Sequence, residues 1–119
     1  MNLIVLNAGV IGAEASAQCD SDGNASVDGD SEIVDLSATV GVLPVNIPLN
    51  FPPNTELVNV NVIGLGQVRI VANEQIITDT NGTAEITVNA LHITVGQAGD
   101  LGSIADVVIA SSHADISCN

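Results

Sequence analysis

The chain has 119 residues and carries fourteen acids against one base, Arg69, for a formal net charge of −13. That balance excludes nucleic-acid binding, which rests on neutralising phosphates with cations, and excludes docking on anionic lipid through a basic patch. No run is long enough to span a membrane as a helix, and with no Lys present a Lys–Asn isopeptide cross-link is excluded too.

The apolar fraction is 46%, yet Phe51 is the single aromatic residue. The core is therefore expected to be Val, Ile, Leu and Ala, many of them β-branched and suited to pleated sheets. One module over residues 1–119 is expected, with residues 1–12 as a candidate strand-exchange or assembly segment. In that segment Leu3, Ile4, Val5 and Leu6, then Val10 and Ile11, are apolar on both parities. A strand with two apolar faces needs cover on both sides. Two readings follow: an ordinary central strand, or one exchanged with a second copy.

From Ala13 the pattern alternates with period two. Ala13, Ala15, Ala17 and Cys19 share one face, and Glu14, Ser16 and Gln18 the other. Asp20–Asn24 signals a turn. Val34, Leu36, Ala38 and Val40 alternate next, followed by Leu43, Val45, Ile47 and Leu49. Pro44 and Pro48 on the opposite parity point to an edge strand. Val58, Val60 and Val62 follow, then a strand through Val68, Ile70 and Ala72 towards Thr78. Asn81-Gly82 predicts a tight hairpin. The next strand changes phase between Ala90 and Leu91, as a β-bulge would make it do. A Gly-rich loop over 96–103 leads to a last strand with Val108, Ala110, Ser112, Ala114, Ile116 and Cys118 on one face. These strands and short turns predict an all-β fold. An antiparallel two-sheet sandwich, jelly-roll or Ig-like, is the first choice and a barrel the second.

Cys19 and Cys118 each end a long strand on its small-residue face. They are read as one buried disulfide, in keeping with a secreted chain. Asp20, Asp22, Asp28, Asp30 and Glu32 form an acid-rich stretch. It is either a calcium site or a solvated hairpin, and its spacing departs from an EF-hand at Ala25 and Ser31. His92 and His113 are expected about 20 Å apart along the sheet, too far to share a metal. No Ser or Cys nucleophile is marked beside them, so no enzyme activity and no cofactor other than calcium is expected. Asn24-Ala25-Ser26 and Asn81-Gly82-Thr83 are glycosylation sequons in predicted turns, marking Asn24 and Asn81.

Three blocks in order resemble the choice-of-anchor P proteins: Val71-Ala72-Asn73-Glu74-Gln75, Ile86–Val95 with its Thr87-Val88-Asn89-Ala90-Leu91-His92 run, and Ala105–Cys118 with its Ser112-His113-Ala114-Asp115-Ile116-Ser117-Cys118 run. Gly12–Cys19 and Gly29–Leu36 resemble the same family. The resemblance implies a secreted, surface-attached bacterial protein with no enzyme activity. It also implies a C-terminal anchor, where this sequence has Asn119 alone after Cys118. The expectation is a structural, extracellular, cell-surface protein that assembles with copies of itself as a filament or layer. The alternative is a calcium-dependent adhesion module.

Overall fold

A computed structural model describes residues 4–40, 43–48, 50–62, 66–96 and 103–118. Leu3 and Leu49 lie outside the described residues, as does most of the Gly-rich loop. Among the described residues nine strands run in chain order: β1 (Ile4–Asn7), β2 (Val10–Cys19), β3 (Ala25–Val34), β4 (Ser37–Val40), β5 (Leu43–Pro44), β6 (Thr55–Val62), β7 (Gly66–Thr80), β8 (Thr83–Gly96) and β9 (Ser103–Ser117). No helix is present among the described residues. The expected all-β sandwich is borne out, and the sheets do not close into a barrel.

One layer is the meander β6-β7-β8-β9. Its chemistry is the alternation read from the sequence, made continuous by tight turns. Asn81 and Gly82 both take positive φ, +49° and +83°, between the paired residues Thr80 and Thr83. That is the backbone an Asn-Gly hairpin accepts at little steric cost.

The second layer has two pieces. The β2–β3 hairpin lies over β8 and β9, and the small sheet β1-β4-β5 covers the half that starts at β6. The two pieces separate at Asp35, whose φ of +57° ends the run from Val34 to Val40 that the alternation alone reads as unbroken. Pro44 lies in β5 at the edge of the small sheet, as its missing N–H requires.

The core follows the aliphatic composition. Val40, Val58, Val68, Ile70, Ala72, Leu91, Ile93 and Val95 form one buried cluster, with Leu6, Ile11, Ile33, Val45 and Phe51 packed against it. Val60 keeps the phase of Val58 and Val62, opposing Val68, but is exposed, as β6 is the edge strand of its sheet.

Under the hairpin the layers approach closely. Gly29 sits on the inner face of β3, and a Cβ placed there meets Val88 Cγ2 at 2.4 Å and Ile86 Cδ1 at 2.9 Å. Gly29→Ala is expected to destabilise the fold by about 1–3 kcal/mol through overpacking against a stiff valine. Gly12, with nothing within 4 Å of such a Cβ, is the control. Gly12→Ala is expected to stay within about 0.5 kcal/mol of the parent. Urea melts of the two variants check this, and equal midpoints refute it.

The phase change at Ala90 has a different cause from the one expected. Ala90 and Leu91 are both fully buried, so neighbouring residues of β8 do face the same layer. No extra residue is inserted, however. Ala72 opposes Leu91 and Glu74 opposes Asn89, while Leu91 opposes Ile109 and Asn89 opposes Ser111. The ladders stay in register through this row. Instead Asn73 on β7 and Ala110 on β9 take left-handed backbone, with φ of +55° and +61°. The pleat thus reverses across three strands at once, and one inner face becomes continuous with the other.

Candidate functional site

The pleat reversal gathers the polar residues on both faces. On the inner side Asn73 is buried and hydrogen-bonded through both ends of its amide. Its Nδ2 donates to the Phe51 carbonyl at 2.9 Å, and its Oδ1 accepts from Ser31 Oγ at 2.8 Å. Gln75 Nε2 reaches the Gly29 carbonyl at 3.0 Å. Asn is a residue that tolerates left-handed backbone, so one side chain sets the reversal and pins the hairpin layer to it.

On the outer side a chain of hydrogen bonds crosses the same row. Ser111 Oγ donates to Asn89 Oδ1 at 2.7 Å, and Asn89 Nδ2 donates to Glu74 Oε1 at 2.8 Å. His92 Nδ1 lies 2.8 Å from that same Glu74 oxygen, and its Nε2 lies 2.5 Å from Asp106 Oδ1. Strict alternation would leave Asn89 and His92 on opposite faces. With both Ala90 and Leu91 turned inward, they share one. Burial pulls the His92 pKa down, but the bonds to Asp106 and Glu74 outweigh burial and hold it above the ordinary 6.5. Every buried side-chain N and O among the described residues has a partner. The roles of Glu74 and Asp106 were not visible in the sequence, because the partners of His92 come from two other strands. The signal that finds them is the register, which places Glu74 across from Asn89 and Asp106 across from Thr94.

His113 stands apart from His92. It opposes Thr87, five residues back along β8, which bears out the expected separation. Its Nδ1 lies 2.9 Å from Thr87 Oγ1. With Glu85 and Asp115 it forms an exposed group whose ligand atoms lie within 4.8 Å of one another.

The acid stretch spreads out instead of converging. Asp20 Oδ1 accepts the backbone N–H of Asp22 at 2.9 Å and of Asn24 at 2.8 Å. The Asn24 bond is the main cause of its lowered pKa. Asp20 is thus the keystone of its own turn. Asp28, Asp30 and Glu32 alternate outward along β3, opposite Ser16, Glu14 and Gly12. Glu14, Ser16, Asp28 and Asp30 line an open depression of about 370 Å³. Asp20, Asp22, Asp28 and Asp30 supply no three ligand atoms within 4.8 Å of one another. Arg69 Nε is held by Glu56 Oε2 at 2.7 Å, a bond that lowers the Glu56 pKa. Both sequon asparagines, Asn24 and Asn81, are exposed in turns.

Cys19 and Cys118 form the expected disulfide, with Cα atoms 5.8 Å apart. It ties the hairpin layer to the end of β9. Cys118 is buried and Cys19 is exposed, so the bond sits at the margin of the sandwich, not within it.

The residues read as an assembly strand divide between two elements. Ile4, Val5 and Leu6 lie on β1, which pairs with β4 from Ile4 opposite Val40 to Asn7 opposite Ser37. Leu6 packs on the core and Val5 is exposed. Val10 and Ile11 open β2, with Ile11 packed on the core and Val10 exposed. At the large sheet, among the described residues, β9 pairs with β8 alone and β7 has no strand partner on its β6 side beyond Ala72, where Asn54 instead donates to the Asn73 carbonyl at 2.8 Å and accepts the Gln75 N–H at 2.9 Å. Val107 and Val108 on β9, and Ile76 and Ile77 on β7, are exposed near these edges. No helix among the described residues is long and apolar enough to cross a membrane.

Comparisons of the chain with protein-family models, with curated proteins and with solved structures find no match.

Proposed function

We propose that this chain is a non-enzymatic structural building block of the cell surface that assembles with copies of itself by exchanging its N-terminal strand. The observation that carries this reading is the β1–β4 pairing. β1 is a four-residue strand joined to β2 through Ala8 and Gly9, and its partner β4 lies beyond the whole β2–β3 hairpin. A strand that closes its own layer through so few rungs makes the same contacts equally well in a second copy. The edges of β9, and of β7 past Gln75, have no strand partner among the described residues and add surface for further strand pairing. The disulfide, which persists in oxidising compartments, supports a secreted setting. The resemblance to the choice-of-anchor P proteins supports it too.

The test locks β1 in place. Val5 and Thr39 are directly opposed, so the double variant V5C/T39C can cross-link that pair. Under strand exchange, oxidation of the assembled protein gives a covalent ladder of dimers and higher species on a non-reducing gel. Oxidation at high dilution gives closed monomers that no longer assemble by light scattering. Closed monomers that assemble as the parent does would overturn the exchange.

A further inference from the structure

His92 is held on both ring nitrogens by carboxylates from the strands on either side of it. An ionised carboxylate only accepts, so both contacts are hydrogen bonds only when both nitrogens carry protons. The neutral ring keeps one N–H and must give up one partner. Glu74 is the more buried carboxylate, 16% exposed against 60% for Asp106. Glu74 also anchors Asn89. Water can solvate Asp106 but reaches Glu74 poorly, so Asp106 is the partner released. We propose that the His92 imidazolium is a pH-sensitive clasp, tying β9 to β7 across β8 beside the row where the pleat reverses, and letting go of β9 as pH rises.

The charged surroundings support this. On β7 the facing group is Glu74, and on β9 it is Asp106. The next acid, Glu56 on β6, opposes Val71 in the His92 row and is engaged by Arg69. The hairpin and the small sheet pack on the opposite face. His113 lies further along the outer face in the Thr87 row, and Glu85 and Asp115 form a pair beyond it. The sign follows from the raised pKa of His92. The clasp contributes in full below the unfolded histidine value of about 6.5 and fades as pH rises through the folded value. It operates within one chain and does not depend on the assembly reading.

Two measurements on the full chain test it. In an NMR titration, the His92 ring protons are expected to shift at a higher pH in the folded chain than in the same chain unfolded in urea. A folded midpoint equal to or below the unfolded one would overturn the clasp. Amide exchange is then followed from pH 6 to 9, with protection over residues 106–109 taken relative to residues 112–116. That ratio is expected to fall roughly three- to tenfold as the ring deprotonates, the size of a partly exposed charge-assisted bond. In Asp106→Asn the ratio is expected to stay flat. A flat ratio in the parent, or an equal slope in the variant, would also overturn it. The titration needs no variant, so a poorly folding substitution leaves the test intact.

Discussion

Reducing the Cys19–Cys118 bridge is expected to lower the folding stability by about 4–5 kcal/mol, the largest single loss expected in this chain. The bond closes a sequence separation of 99 residues. In the chain-entropy account, a loop of that length removes a large share of the unfolded ensemble's freedom. The folded contacts near the bond are minor by comparison, since Cys19 is itself exposed. The effect therefore acts mainly on the unfolded state. For a domain of this size it corresponds to a fall in Tm of roughly 15–25 °C. Thermal melts with and without reductant, and of the double variant Cys19→Ala/Cys118→Ala, measure it. The reduced parent and the double variant should agree. Unchanged midpoints would mean that the bridge contributes nothing the layers do not already supply.

The second large effect belongs to the reversal row. Leu91→Ala is expected to cost about 2–5 kcal/mol, as a fully buried leucine leaves a cavity that its neighbours fill only in part. Leu91 is among the largest fully buried side chains, and it lies in the cluster that joins the sheet to the second layer. Its strand neighbours Ala90 and Ala72 are small and have no side chain that could reach into the gap. Ile76→Ala removes a side chain that is 53% exposed and is expected to change stability by less than about 1 kcal/mol. Denaturant midpoints at unchanged slope compare the two. Equal losses would show that the outer edge of β7 is covered by something beyond this chain.

Much of the architecture was legible because period two is a local signal. Ala13, Ala15 and Ala17 on one face, the Asn81-Gly82 turn, and cysteines at the ends of two long strands each declare themselves within a few residues. The change of phase between Ala90 and Leu91 was legible as well, but its mechanism was not. Two inward residues in succession look alike whether a residue is inserted or the flanking strands turn left-handed. Asn73 and Ala110 decide between these, and each lies about twenty residues away from Ala90. The acid stretch was the more prominent candidate site in the sequence, since its residues are close along the chain. Alternation along β3 and the Asp20 turn then spread those carboxylates apart. The His92 cluster has the opposite history. Glu74, His92 and Asp106 are far apart in sequence and meet only through the β7–β8–β9 register.

By itself, then, the sequence determined the kind of structure: an acidic, aliphatic, all-β sandwich with one cross-layer bridge, because composition and alternation act residue by residue. Tertiary structure alone decided which strands lie side by side, that β1 closes on β4, and that the pleat reverses without a bulge. It also decided that His92 stands between two carboxylates. Alternation assigns a face to each side chain, but the partner across the strand depends on how the layers pack, and no local pattern carries that information.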